Sequence, residues 1–334
     1  MKLLLGNWKK TYNVAIASIV LSSSALATEI NMATSYPDSN FQTKLVKNFA
    51  ERVNHNTNGN IKIKVHSNSG LISAGQIVRA TRTGQVQLGE RIGSSLSNQD
   101  PIFAIDSLPF LTSSYKDAWH LYQASKPLLT KRLDKMGLVL LYSVPWPPQG
   151  LYTPSKINSI ADVSGVRLRT YDQFTNRLVK SMGALPTKIN ASELSQAFAT
   201  SMIDGMVGSG GTAHDLDLYR YLPFWYDISA WTPKNLVFIN KRYFNSLSEK
   251  DRLAISTAAA DSEKEGWKVS QQQRDLFIKY FREGGTQVIS SLPAVLEKEL
   301  HDIGDNIITE WEKDNGSEYS QIITQYKTLS AKGM

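Results

Sequence analysis

Helical and strand patterns alternate along this chain, and the alternation limits the folds that it can adopt. A helical stripe of apolar residues from Phe41 to Val53 precedes an alternating strand pattern at Ile61–Val65. The same order of helix and strand recurs at Gln76–Thr83 with Val86–Ile92, and at Tyr115–Lys135 with Leu138–Tyr142. A chain in which helices separate strands in this way is expected to form an α/β fold.

The later part of the chain also carries strand and helix patterns. A strand pattern spans Asn235–Asn240, and a long helical pattern runs from Ser248 to Arg282 before Gly284 and Gly285. A final helix is predicted from its apolar spacing to bury Leu296, Leu300, Ile303, Ile307 and Trp311. No sequence repeat or low-complexity linker separates two halves of the chain.

The segment from Ile160 to Gly205 carries the first chemical signal. Gly165 permits a turn, and the following strand pattern places Arg167 and Arg169 on one face. A guanidinium presents two parallel donors to both oxygens of a carboxylate, which the point charge of lysine cannot do. One of these arginines could therefore reach a cleft and bind an organic acid. A surface or interdomain ion pair is the alternative role, and sequence chemistry alone favours it.

Two helix starts follow this strand. Asp172 can cap a helix that ends at Gly183, with Phe174, Leu178, Val179 and Met182 at helical spacing. Asn190 and Glu193 have the spacing of a capping box and would open a second helix.

Four motifs in this region together resemble one family. They are Ser159-Ile160-Ala161-Asp162 with Gly165 and Leu168-Arg169, Gly183-Ala184 with Pro186, Glu193-Leu194-Ser195-Gln196-Ala197, and Ile203-Asp204-Gly205. Their order and spacing are similar to those of the DctP-type solute receptors of TRAP transporters, which are tripartite and independent of ATP. Leu108-Pro109-Phe110-Leu111 matches the proline turn of the same family.

The resemblance implies an architecture. It predicts a type II-like periplasmic binding protein fold with two lobes and a long helix that touches both. By this analogy the first lobe holds residues 28–146 and 236–275, and the second holds residues 147–235 and 276–334. Paired crossings between the lobes would act as hinges and permit closure on a solute.

The resemblance also implies site residues. Arg169 falls at the position where the family holds the carboxylate of its solute, whereas Arg167 falls at a position usually filled by an exposed basic residue. Glu90 corresponds to a glutamate in the cleft and could accept hydrogen bonds from a hydroxyl or an amine. Its pairing with the neighbouring Arg91 or another base is an equal alternative.

This chain departs from well-known members in two places. Gln149 replaces a second arginine, and Met206–Thr212 replaces a polar segment with a ligand-binding asparagine, so that backbone amides and the Ser209 hydroxyl are expected to substitute. Aromatic residues near the expected cleft are Tyr36, Trp146, Tyr171, Phe174 and Trp231. Together these features predict a small monocarboxylate with an apolar or ring portion.

The amino terminus has the layout of a cleavable secretory signal. Lys2, Lys9 and Lys10 accompany an apolar run at Val14–Leu21, and Ala25-Leu26-Ala27 completes the pattern over residues 1–27. We expect cleavage near Ala27-Thr28 and a periplasmic mature protein. Removal of three lysines and no acidic residue lowers the formal charge from +7 to +4, a weakly positive field that would favour anionic solutes.

Composition and motifs exclude several classes of function. The chain has no cysteine, and its five histidines show no His-Glu-x-x-His spacing, so we expect no metal and no cofactor. No nucleophile elbow, phosphate loop or basic run is present, which argues against an enzyme and against nucleic acid as a partner. We expect a monomer that delivers a small organic acid to the small and large TRAP membrane subunits. A receptor that presents its ligand to a membrane sensor kinase is the alternative.

Overall fold

The structure is a computed structural model that describes residues 28–332. Its strands are β1 (Thr28–Ala33), β2 (Ile61–His66), β3 (Leu88–Ile92), β4 (Leu138–Pro145), β5 (Gln149–Thr153), β6 (Arg167–Thr170), β7 (Leu185–Lys188), β8 (Gly205–Ser209), β9 (Phe224–Tyr226), β10 (Lys234–Asn240) and β11 (Gln287–Ile289). Its α-helices are α1 (Phe41–Asn56), α2 (Ile77–Thr83), α3 (Tyr115–Lys135), α4 (Gln173–Ser181), α5 (Leu194–Ala199), α6 (Gly210–Asp215), α7 (Lys241–Ser246), α8 (Glu249–Glu283), α9 (Ala294–Asn315) and α10 (Ser317–Lys332).

The strands form two separate mixed sheets. The first has the order β2-β1-β3-β10-β4, and the second has the order β11-β9-β5-β8-β6-β7. In the first sheet β1 runs parallel to β2 and β3, whereas β10 runs antiparallel to β3 and β4. In the second sheet β6 runs parallel to β7 and β8, whereas β5 runs antiparallel to β8 and β9. The predicted α/β fold is therefore confirmed, with one sheet on each side of the site.

Each sheet is covered on both faces by apolar side chains. In β10, Leu236 and Phe238 belong to one core cluster, whereas Val237 and Ile239 belong to another. In β8, Met206 and Val207 are likewise divided between two clusters of the second sheet. Successive residues of a strand point to opposite faces, so that a fully buried strand must be apolar on both.

Capping residues and a glycine mark the ends of α4 and the turn before α5. The Asp172 carboxylate accepts a hydrogen bond of 2.8 Å from the backbone of Thr175, and Gly183 follows α4 with a φ of 75°. Asn190 and Glu193 form the predicted capping box, which opens a short 3-10 turn before α5. Side-chain oxygens at these caps satisfy the amides that the first helical turn leaves free.

Helix α8 connects the two sheets, as the sequence predicted. Near its start Ile255 and Ala258 pack in a cluster of the first sheet, and near its end Phe277 and Phe281 pack in a cluster of the second. Gly266, between these regions, lies against Val144, and a Cβ there would come within 2.4 Å of that side chain. The small residue lets the helix pass close to β4.

The carboxy-terminal region holds two helices where the sequence predicted a single final one. Helix α9 buries Leu296 and Leu300 in a cluster of the second sheet, and Ile307 and Trp311 in a cluster of the first. Gly316, with a φ of 79°, separates it from α10. The division into lobes stays a prediction, but α10 packs on α3, which favours placing that helix with the first lobe and not with residues 276–334 as a whole.

Candidate functional site

A cavity of about 80 Å³ lies between the two sheets and opens partly to solvent. The predicted site residues that line it are Tyr36, Trp146, Gln149, Arg169, Tyr171 and Ser209. Tyr36 follows β1 and Trp146 follows β4 of the first sheet, whereas the other four lie on or directly after β5, β6 and β8 of the second. The fold therefore brings six residues from distant parts of the chain to one wall or the other of a single cavity.

Arg169 is the charged centre of this cavity. Its side chain is 5% exposed, and Nε and Nη1 donate to the backbone oxygens of Ile189 and Val207 at 3.1 and 3.2 Å. Within residues 28–332, Nη2 makes no hydrogen bond and no ion pair involves Arg169. Burial lowers the pKa of Arg169 to about 10, which still leaves it cationic at neutral pH. A buried cation with free donors towards a cavity can bind an anion there.

Arg167 shows the contrast on the same strand. Its side chain is 43% exposed, and it binds both oxygens of Asp204 at 2.5 and 2.8 Å. This ion pair agrees with the exposed role that the sequence predicted for Arg167, and it uses the Asp204 of the Asp-Gly motif.

The Tyr171 ring lies against the guanidinium of Arg169. Its ring centre lies 4.8 Å from the Arg169 guanidinium carbon. Its hydroxyl accepts a hydrogen bond from Trp231 Nε1 at 2.9 Å and donates one to Gln149 at 3.3 Å. Trp231, which the sequence predicted as a ligand contact, therefore lies behind Tyr171 and does not line the cavity.

Glu90 also lies behind the cavity wall and not in it. The side chain is fully buried, accepts hydrogen bonds from Thr34 at 2.6 Å and Asn235 at 2.9 Å, and has a pKa raised by desolvation. The Asn235 oxygen in turn accepts from Trp146 Nε1 at 2.8 Å and from Tyr36 at 3.2 Å. Glu90 thus orients an amide that holds two cavity aromatics, and both of its oxygens are already hydrogen-bonded.

Arg91 is a cavity residue that the sequence reasoning missed. It lines the cavity, and its Nη1 donates to Ser35 at 3.3 Å, but no ion pair within the described part of the chain includes it. The available signal was its place in β3 directly after Glu90, since adjacent strand residues point to opposite faces. The alternation therefore allows Arg91 to face the solute while Glu90 faces the core.

Ser209 lies at the junction between β8 and α6. Its oxygen accepts from the backbone of Thr212 at 3.2 Å and caps the short helix. Close packing leaves little room for larger residues at the glycines around it, because a Cβ on Gly210 would come within 2.8 Å of Phe277 and one on Gly208 within 3.3 Å of Arg169. The glycine-rich segment therefore admits the guanidinium and the helix at close range.

Among residues 28–332, no group of three histidine, aspartate or glutamate side chains is arranged to hold a metal ion. No helix in that range combines the length and apolar character needed to cross a bilayer.

A cavity lies between the two sheets, a long helix contacts both sheets, and a buried guanidinium keeps free donors towards the cavity. This arrangement is that of the two-lobed solute receptors. The chain belongs to the DctP family, described as bacterial extracellular solute-binding protein, family 7, whose model matches residues 32–317. It is a TRAP-type solute receptor, which confirms the family predicted from the four motifs.

Three relatives show how far the similarity extends. DctP7 of Bordetella pertussis, an extracytoplasmic solute receptor binding pyroglutamic acid, is 38% identical with a TM-score of 0.88, over 90% of this chain and all of that one. A TRAP solute-binding protein specific for pyroglutamate, from an unidentified microbe of a marine metagenome, is 33% identical with a TM-score of 0.88, over 90% of this chain and 99% of that one. The 2,3-diketo-L-gulonate-binding periplasmic protein YiaO of Escherichia coli K12 is 24% identical over 84% of this chain and 88% of its own length.

Proposed function

We propose that this chain captures a small organic monocarboxylate with a compact ring, of the chemical class of pyroglutamate, and delivers it to TRAP membrane subunits. The observation that carries the proposal is the buried guanidinium of Arg169, whose Nη2 is free within the described part of the chain while Nε and Nη1 are fixed by backbone carbonyls. A carboxylate can take the free donors without moving the arginine. Preorganisation of this kind limits the entropy lost on binding.

Gln149 and two aromatic residues of the cavity support a monoanion with a ring. Gln149 stands where related receptors often carry a second arginine, so that a second carboxylate would lose a cationic partner there. The rings of Tyr36 and Trp146 lie edge to face with centres 5.0 Å apart and offer apolar surface to a ring of the solute. Two receptors that are 38% and 33% identical bind pyroglutamate, which combines one carboxylate with a five-membered lactam.

Capture by closure is the mechanism that this arrangement supports. Residues from both sheets line the cavity, and Asn40 at the start of α1 donates a hydrogen bond to Asp215 of α6. A contact between elements of the two sides favours the closed arrangement, in which the solute leaves water and each polar contact strengthens. Docking on the membrane subunits would follow closure, with energy from an ion gradient.

We also propose export to the periplasm through the secretory signal predicted at residues 1–27. That segment and the cleavage at Ala27-Thr28 lie outside the described residues, so support comes from the sequence pattern and from the periplasmic location of the family. The proposed receptor acts as a monomer, without nucleic acid, a metal or catalysis.

The alternative of an amine anchored by Glu90 has weaker support. Both carboxylate oxygens are occupied by Thr34 and Asn235, and Glu90 is absent from the cavity wall. An amine would have to displace these partners from a fully buried site. Presentation of the same solute to a sensor kinase remains the second candidate, and no contact of the described residues favours it over transport.

Calorimetric titration of residues 28–334 with a matched set of solutes tests the proposed ligand class. Pyroglutamate is expected to bind, whereas pyrrolidone, which keeps the lactam without the carboxylate, should fail because nothing then neutralises Arg169. Proline tests the lactam, since it keeps the ring and carboxylate but carries a secondary amine. Tightest binding of a dicarboxylate or an amine would contradict the proposal.

A further inference from the structure

A second and larger chamber adjoins the ligand cavity. It has a volume of about 420 Å³ and is open to solvent. Six residues line both spaces, namely Ala74, Arg91, Ser94, Ser95, Tyr171 and Asn190. Because Tyr171 stacks on the Arg169 guanidinium, the shared wall lies directly beside the proposed carboxylate site. We call this space the outer chamber.

The outer chamber is lined by cations that lack acidic partners. Arg79 and Arg82 come from α2, Arg91 from β3 and Lys188 from β7, so that both sheets contribute. Within residues 28–332, none of these four side chains is in an ion pair. Some exposed cations elsewhere pair with carboxylates, as in Lys47–Asp38 and Lys241–Asp134.

The single acidic side chain on the chamber wall is already engaged. Asp172 is 5% exposed, and its Oδ1 caps α4 by accepting hydrogen bonds from Thr175. One carboxylate against four cations leaves an excess of positive charge on the wall of the outer chamber. A cleft lined by charges of one sign concentrates counter-ions and raises their rate of association.

We infer that the outer chamber is the route by which an anionic solute reaches the ligand cavity, and that Arg79, Arg82 and Lys188 accelerate its association. This inference rests on the proposed function, because it requires a carboxylate solute. These three residues line the outer chamber but not the ligand cavity. They are exposed, so they stay hydrated when the solute is bound and contribute little to its retention.

The charges therefore act on the association rate constant and not on the dissociation rate constant. Their effect should disappear at high ionic strength, because the screening length falls from about 10 Å at 0.1 M salt to about 3 Å at 1 M. A direct contact with bound solute would show the reverse behaviour, a faster dissociation with little salt dependence.

Stopped-flow measurement of tryptophan fluorescence tests this, since Trp146 lies on the cavity wall. The solute is pyroglutamate, and the variant combines Arg79→Gln, Arg82→Gln and Lys188→Gln. At low salt, the association rate constant should fall about tenfold relative to wild type, with dissociation changed by less than about twofold. The difference in association should shrink to less than about twofold near 1 M salt.

The matched control combines Lys250→Gln, Lys264→Gln and Lys268→Gln. These lysines are exposed on α8, which contributes no residue to the outer chamber, and their replacement changes net charge by the same amount. The control should associate within about twofold of wild type. Equal association rates for both triple variants would overturn the inference, as would a loss confined to dissociation.

These outcomes differ from a failure of the proposed function. Normal binding by wild type with equal rates for both variants would refute the role of the outer chamber alone. Absence of binding to pyroglutamate and every other monocarboxylate by folded wild type would refute the carboxylate receptor and the inference with it.

Discussion

Arg169 in the second sheet and Glu90 in the first are both ionisable and almost fully withdrawn from solvent, but they stand on different sides of the cavity wall. Arg169 lines the cavity and keeps the donors of Nη2 free within the described residues. Glu90 has both oxygens engaged by Thr34 and Asn235 and touches the cavity only through the aromatics that Asn235 holds.

The difference shows that burial of a charge does not by itself identify a ligand contact. The cost of burying an ionised group must be offset by hydrogen bonds or by an opposite charge. Where protein groups supply all of these partners, as around Glu90, the residue supports the local structure. Where some donors stay free towards a cavity, as at Arg169, a ligand can complete the set.

The largest expected effect is the loss of binding on replacing Arg169. Arg169→Ala should weaken pyroglutamate binding by about 30-fold to 4000-fold, because a buried charged contact contributes about 2 to 5 kcal/mol. Arg169→Lys should lose most of the same affinity, since the forked donors are lost while the charge remains. Calorimetry measures the affinity, and circular dichroism confirms that the variants are folded.

The control for this prediction is Arg167→Ala on the same strand. Arg167 is half-exposed and paired with Asp204, so its removal should leave pyroglutamate affinity within about threefold and cost at most about 1 kcal/mol of stability. Full affinity in a folded Arg169→Ala protein, or an equal loss in both variants, would contradict the distinction between the two arginines.

Unlike Arg169→Ala, Asn235→Leu should lower the stability of the protein more than its affinity for pyroglutamate. The change removes the Asn235 partner of Glu90 Oε1, of Trp146 Nε1 and of the Tyr36 hydroxyl, at about 1 to 3 kcal/mol for each unsatisfied group. Urea unfolding should report a loss of about 3 kcal/mol or more, and affinity should fall about tenfold as the aromatic wall loosens.

Asn48→Leu on the exposed face of α1 is the comparison for this substitution. It should change the free energy of unfolding by less than about 0.5 kcal/mol. The view of Asn235 as a structural link fails if its variant keeps wild-type stability while losing binding as completely as Arg169→Ala.

Removal of the Tyr171 hydroxyl tests whether its hydrogen bonds to Trp231 and Gln149 support ligand binding. Tyr171→Phe keeps the ring beside Arg169 but loses the bonds to Trp231 and Gln149, so affinity should fall about three- to tenfold. Trp231→Phe should have a similar effect because Trp231 reaches the cavity through that hydroxyl. The two losses should be less than additive in the double variant, as a double-mutant cycle by calorimetry will show. Additive losses would mean that Trp231 acts independently.

The smallest effect concerns pH and the carboxyl of Glu90. Its pKa is raised by desolvation above the unfolded value of about 4.3, so in the interval between the two values the native state binds a proton that the unfolded state has released. The stability contributed by Glu90 is therefore present at low pH and is lost as pH rises through that interval.

Glu90→Gln removes this titration. The free energy of unfolding of wild type relative to Glu90→Gln should fall as pH rises from about 4 to about 8, measured by thermal unfolding of both proteins. Other titrating groups cancel in the difference. A difference that grows with pH would show that Glu90 is stabilised in its charged form.

Much of the local structure follows from short-range patterns. The predicted helix at Tyr115–Lys135 has the observed bounds, and the predicted strand at Asn235–Asn240 begins one residue earlier in the structure. Ser248, the predicted start of the long helix, is its cap. These features depend on caps, turns and periodicity within a few residues, which the sequence displays directly.

Short-range patterns could not predict which charged residues line the cavity and which lie behind its wall. Glu90 was expected in the cleft, but its partners Thr34 and Asn235 lie 56 and 145 residues away and meet it only when β1, β3 and β10 assemble. Arg91 was regarded only as a partner for Glu90, and its place on the cavity wall likewise depends on how the strands assemble.

The sequence by itself therefore determined the α/β class, the family and the position of Arg169, because these are encoded in ordered local motifs. The tertiary structure decided which charged groups keep free hydrogen-bonding capacity. That property depends on the partners that distant strands bring to each side chain, and a buried charged group can bind a polar ligand only with hydrogen-bonding capacity that the protein leaves free.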